Sequence, residues 1–174
     1  AITITAITAQ DLEIKQIENF EDLQFAVPTL GFQKGAYSGS GITLRGIGNF
    51  AVGNSSSASI GYFWNGQSAS ASGLYEAEFF DVERVEVLRG PQGSLFGAGT
   101  TGGLIQMITK RPDAEAGGYI KTDVADYDSV RLEGAVNLPL SDTLRARFAF
   151  ASLERDGFVT NSHTGNKLDN RSTQ

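Results

Sequence analysis

The last third of the chain alternates between apolar and polar positions. Ile120, Thr122 and Val124 share one side, with Tyr119, Lys121 and Asp123 on the other. Val130, Leu132, Gly134, Val136 and Leu138 stand against Arg131, Glu133, Ala135 and Asn137. Leu144, Ala146, Phe148 and Phe150 stand against Thr143, Arg145, Arg147 and Ala149. A period of two is that of a strand with unlike faces, so three antiparallel strands are predicted. Three-residue loops at 126–128 and 140–142 keep the apolar residues on one face, because a one-residue slip would turn every side chain over. They set Val124 opposite Val130, Leu138 opposite Leu144, Leu132 opposite Phe150, and Gly134 opposite Phe148, whose ring can cover the glycine. The pattern fits strands with lipid on one side and a polar lumen on the other. It fits a half-buried sheet of a soluble protein equally well.

Upstream the pattern is shorter and mixed. Ile2 to Ile7 reads as a strand with Ile2, Ile4 and Ala6 set against threonines. Thr8 followed by Asp11 resembles a capping box, and Leu12–Ile17 fits a brief amphipathic helix. A second helix starts at Asn19, carries Phe20, Leu23 and Val27 on one face, and ends before Pro28. Strands are predicted at 42–46 and 58–64, and Asn65-Gly66 suits a tight turn. Polar loops occupy 31–41, 48–59 and 67–73, and a helical turn is expected within 74–80.

The stretch from Asp81 to Pro112 is the chain's most distinctive. Val85, Val87 and Arg89 alternate with Glu86 and Leu88. Gly90 and Pro91 then end the strand, and Gly93, Gly97, Gly99, Gly102 and Gly103 build a turn before a second strand at 104–109. Gly97-Ala98-Gly99-Thr100-Thr101-Gly102 satisfies G-x-G-x-x-G. That spacing holds a dinucleotide only where a helix follows to supply its N-terminus, and here a strand is expected. The glycines are read as structural.

Composition narrows the function classes. Of 174 residues 21 are glycine, clustered at turns, which favours a turn-rich β-containing protein. A net charge of -6 argues against nucleic acid as partner. The absence of cysteine removes disulfides and thiolate metal sites. The single histidine, His163, sits in a polar loop and is read as solvated. Glu76, Glu78, Asp81, Glu83 and Glu86 cluster in sequence without a histidine or cysteine to share acid–base work, so no catalytic site, metal or cofactor is expected. No signal peptide is visible at Ala1, and no apolar run is long enough for a transmembrane helix, which leaves barrel strands open.

Residues 82–112, V-E-R-V-E-V-L-R-G-P-Q-G-S-L-F-G-A-G-T-T-G-G-L-I-Q-M-I-T-K-R-P, resemble the closing segment of the plug domain of TonB-dependent outer-membrane receptors. Ile42–Gly48 is similar to the family's arginine–glycine strand, and 133–142 with 155–159 resemble its first barrel strands. Asn65 replaces an aspartate usual in the family. The resemblance implies an α+β plug, a small mixed sheet with short helices, over 1–112. It further implies a linker at 113–118 and the first antiparallel strands of a transmembrane β-barrel at 119–174, the barrel being incomplete in this chain. It implies active uptake of an iron–siderophore, cobalamin or oligosaccharide across the outer membrane of a Gram-negative bacterium, with the plug filling a barrel of about 22 strands. The implied partners are TonB, through an N-terminal segment missing here, the remainder of the barrel, outer-membrane lipid and the substrate. Lys34, Tyr37, Phe50, Asn54 and Ser70 fall on loops that would face substrate. Arg45 and Arg89 match arginines that would latch plug to barrel glutamates. Gly90, Pro91, Gly93, Gly97, Gly102 and Gly103 form the structural turn. A soluble β-rich carbohydrate-binding or adhesive module is the alternative that the serine- and glycine-rich loops leave open, and a nucleotide-dependent enzyme would need the glycine loop to bind phosphate.

Overall fold

The computed structural model describes residues 3–34, 40–48, 59–69, 72–157, 159–168 and 171–173. The chain divides into two compact units, Ala1–Lys110 and Arg111–Gln174.

The first unit opens with β1 (Thr3–Thr8), α1 (Ala9–Ile14) and α2 (Phe20–Ala26). Thr8 caps α1 in the expected capping box, its hydroxyl accepting from Asp11 N while the Asp11 carboxylate accepts from Thr8 N. The helix ends at Ile14, earlier than expected. Gln16 takes φ 52, and Ile17 turns into the core with its N–H on Leu12 O. Asn19 caps α2, and Val27 closes it before Pro28. On β1 the core-facing residues are Thr5 and Ile7, not Ile4 and Ala6, because Thr5 and Ile7 pair with the buried Val87 and Val85.

Two short strands follow in stretches expected to be loop or turn. Leu30–Gln33 forms β2, pairing with β3 (Gly41–Leu44). Arg45 and Gly46 both take positive φ (54 and 78), the two-residue turn that sends the chain back as β4 (Ile47–Gly48). Arg45 is therefore a turn residue, not a strand residue. β5 (Ile60–Trp64) and β6 (Gln67–Ser68) form the hairpin expected from Asn65-Gly66, again with positive φ at both positions. A 3-10 turn at Ser72–Glu76 precedes β7 (Val82–Arg89). A one-turn helix, α3 (Gly93–Phe96), and the glycine turn then lead into β8 (Gly103–Thr109).

The main sheet runs β1-β7-β8-β5-β6, antiparallel except for the β5–β8 pair. A bulge at Glu83 shifts the β7–β8 register, so that Val82 joins Val85 and Val87 in one core despite the odd spacing. That core holds Phe20 edge-on to Tyr62, Tyr75 and Phe79 at 5.1, 5.9 and 5.1 Å. Such contacts add to burial because ring edges meet ring faces. On the sheet's other side a smaller cluster joins Phe63, Leu88 and Leu104, with Phe96 of α3 packed on it.

The second unit is a sheet ordered β14-β11-β10-β9 from β9 (Gly117–Ala125), β10 (Ser129–Pro139), β11 (Arg145–Arg155) and β14 (Arg171–Thr173). A separate pair, β12 (Val159–Thr160) and β13 (Lys167–Leu168), lies between β11 and β14 in sequence. β9 starts at Gly117, inside the stretch read as linker. Val124 faces Val130 as expected. The second hairpin is shifted by two: Leu138 faces Ala146, Val136 faces Phe148, Leu132 faces Ser152, and Gly134 faces Phe150. The loop keeps three residues but sits one place later, at 141–143. There Ser141 Oγ accepts from Thr143 N and Leu144 N, and Leu140 N donates to Leu144 O. With Leu140 and Leu144 as the bonded closing pair, Pro139 falls at a non-hydrogen-bonded position and its missing N–H costs nothing.

Candidate functional site

The glycine turn is built by close approach. Gly90 and Gly97 take φ of +95 and +81, and Gly90 N reaches Gly102 O at 3.3 Å. Gly103, at φ +137, has no room for a Cβ: one would collide with Leu88 O and lie 3.0 Å from Leu44 Cδ1. Gly102 is equally confined, between Ile60, Ile47 and the Ser59 carbonyl. Gly93 opens α3, and Pro91 leads into Gln92. Gln92 and Thr100 were not singled out from sequence, yet both are buried and join across the loop. Gln92 N donates to Thr100 O at 2.9 Å, and Thr100 Oγ1 donates to Gly97 O at 2.9 Å. The G-x-G-x-x-G stretch opens into β8 rather than a helix, so it lacks the geometry that holds a pyrophosphate.

Gly103 pairs with Arg89, so the ends of β3 and β7 converge on one glycine. Arg89 is half-buried. Its guanidinium donates to Thr5 Oγ1 on β1, and its Nε is buried with no hydrogen-bond partner among the described residues. Arg45 is exposed at its turn, held by its N–H on Thr29 O at 2.8 Å.

Of the residues expected to face substrate, Lys34 is exposed just after β2. Tyr37, Phe50, Asn54 and Ser70 lie outside the described residues. Beside the first of those loops Ser40 is buried and donates to Glu76 Oε1 at 2.7 Å. Among the described residues no cluster of three or more histidines, aspartates or glutamates could hold a metal.

The second unit has its faces the wrong way round for water. On β10 the polar face is covered, with Arg131 at 6% and Asn137 at 3% exposure. Val130, Leu132, Val136 and Leu138 are exposed, as are Phe148 at 62% and Phe150 at 50% on β11. Arg131 pairs with Glu133 on its own face at 3.2 Å. Asn137 pins the preceding segment to that face: its Nδ2 donates to Asp113 O and Glu115 O, and its Oδ1 accepts from Asp113 N at 2.8 Å. Nothing in the alternation separates Asn137 from its neighbours, so sequence reasoning had no signal for that clasp. No described helix is long and apolar enough to cross a membrane, which does not bear on strands.

The chain is similar to outer-membrane receptors of known name. The pesticin receptor of Yersinia pestis is 29% identical over 94% of this chain, and the ferric enterobactin receptor of Pseudomonas aeruginosa is 31% identical over 83%. The chain spans 24% and 22% of their lengths respectively. The crystal structure of the ferric yersiniabactin uptake receptor FyuA from Yersinia pestis superposes with a TM-score of 0.83 at 26% identity, covering 95% of this chain and 26% of that one. Residues 1–104, which hold the two capped helices, the glycine turn and every strand of the mixed sheet up to the start of β8, match the TonB-dependent Receptor Plug Domain, and the chain belongs to that family.

Proposed function

We propose that the chain is the plug and the opening barrel strands of a receptor that takes up a ferric siderophore across the Gram-negative outer membrane, driven by TonB. The observation that carries this reading is the occurrence, in one chain, of a plug fold and a sheet whose apolar face is open and whose inner strand β10 buries its polar side chains. Lipid satisfies the first face and a filled lumen the second. The siderophore assignment rests on relatives named for ferric yersiniabactin, ferripyoverdine and ferric enterobactin. Residues 1–112 are the stopper, 113–116 the joint and 117–174 the start of the wall, β9 having taken the last two residues of the expected linker; the division of the chain between Lys110 and Arg111 supports this. Lys34, Tyr37, Phe50, Asn54 and Ser70 face the substrate, and Arg45 and Arg89 latch the plug to carboxylates of the barrel wall. The family is one of receptors, and uptake asks no catalytic step of these residues.

The test is uptake of radioiron by a siderophore-deficient Gram-negative strain expressing the full receptor. Accumulation from a ferric siderophore that stops when TonB is deleted supports the reading. TonB-independent accumulation, or none from any ferric siderophore, overturns it. The adhesive or carbohydrate-binding alternative requires a water-soluble monomer, which the exposed Phe148 and Phe150 oppose.

A further inference from the structure

Asn65-Gly66 is the sequence's single asparagine–glycine step, and it forms the exposed turn between β5 and β6. Asn65 does more than turn the chain. Its N–H donates to Met107 O at 2.9 Å, its Nδ2 donates to Thr109 Oγ1 at 3.0 Å, and its Oδ1 accepts from Thr109 N at 3.0 Å. The turn is thereby bolted to the last residues of β8, the strand that pairs in parallel with β5. Gly66 has open space where a side chain would stand and is exposed, so no side chain crowds the step.

We propose that Asn65-Gly66 is a deamidation site held in check by its clasp to Thr109, and that it marks covalently those molecules in which the β5–β8 seam has opened. In the reaction the Gly66 backbone nitrogen attacks Asn65 Cγ. The N–Cγ bond forms, the Cγ–Nδ2 bond breaks, and ammonia leaves with the proton given up by the Gly66 N–H. Water then opens the cyclic imide at either carbonyl, leaving aspartate or isoaspartate. With both amide atoms engaged by Thr109, Asn65 Cγ is held out of reach until those bonds break. Isoaspartate carries an extra backbone carbon, which a two-residue turn cannot absorb, so that product does not close back onto β8.

The rate is read by peptide mass spectrometry after incubation of the purified protein in detergent at mildly alkaline pH. Native protein converts slowly and urea-unfolded protein fastest. Thr109→Val deletes both contacts of the hydroxyl with the Asn65 amide while keeping strand shape, and accelerates conversion at least about fivefold, the effect of losing one ordinary hydrogen bond. Thr109→Ser keeps the hydroxyl and stays at the native rate. Equal rates for native protein and Thr109→Val, equal acceleration by Thr109→Ser and Thr109→Val, or no conversion in urea would each overturn the proposal.

Discussion

Arg89 and Arg45 precede glycines in matching sequence contexts, but their surroundings differ. The Arg89 guanidinium bridges β7 to β1 through Thr5, with a buried Nε that a carboxylate from outside this chain can satisfy. Arg45 stands exposed on a turn, and among the described residues its one printed bond is from its backbone N–H to Thr29 O. Arg89→Ala is therefore expected to destabilise the plug by about 1.5–3 kcal/mol, the range for a hydrogen bond to a charged group. Arg45→Ala is expected to stay within about 0.5 kcal/mol, as for other surface changes. Chemical unfolding of the two variants checks this. In the complete receptor both substitutions should raise small-ion leakage through the barrel, and unchanged conductance in both rejects the latch. Asp11 gives a pH prediction at the same scale. The Thr8 hydroxyl, then the Thr8 backbone N–H, then the charge of Lys15 hold its carboxyl below the ordinary value of 3.8. Its folded pKa is the lower one, so its contribution to stability is complete above the ordinary value and is lost as pH falls through the folded value. Thr8→Val should move the Asp11 titration, followed by NMR, back toward 3.8.

At the scale of the element, the β10–β11 hairpin separates what the sequence specifies from what it does not. Alternation determines which residues share a face, and those within the paired strands sit on their expected faces. It cannot distinguish registers two residues apart, because both keep the faces intact. The choice is made by the Ser141 hydroxyl on the loop and by the proline's need for a non-bonded position, both local effects weaker than the hydrophobic pattern. The same limit explains β2, where Leu30 and Phe32 alternate but Gly31 and Gln33 look like loop. The capping residues are legible because Thr8 and Asn19 act within three positions of themselves. Gln92 and Asn137 were not, because their partners are distant in sequence. The register can be checked in a chain that has no cysteine of its own. Ala135 and Ala149 are a non-hydrogen-bonded pair, and such pairs stand about 4.5 Å apart at Cα. A double variant, Ala135→Cys with Ala149→Cys, should oxidise to a disulfide, seen as a loss of thiol labelling. Ala135→Cys with Arg147→Cys should remain reduced, because diagonal Cα atoms lie about 7–8 Å apart, beyond disulfide reach.

For the whole molecule, one substitution has opposite consequences under the two readings of the second unit. Phe148 is 62% exposed and faces Val136 on the apolar side of the sheet, beside Phe150 and Gly134. If that side met water, Phe148→Arg would remove an apolar patch and leave stability nearly unchanged. If it meets lipid, the guanidinium must enter hydrocarbon, at a cost of about 2–4 kcal/mol near the bilayer midplane that falls away toward the interfaces. The opposite face supplies the control. Arg147 is one residue along on the polar side, so Arg147→Phe changes charge and apolar area by the same amounts in reverse without touching the lipid face. In the full receptor, refolded into phosphatidylcholine vesicles and followed by heat-modifiable gel mobility, Phe148→Arg should shift the folding midpoint to lower denaturant. Arg147→Phe should not reproduce that shift through lipid contact. A Phe148→Arg receptor that folds as well as the parent would mean that the open face of β9, β10 and β11 is not a membrane surface, and the wall would have to be sought elsewhere in the chain.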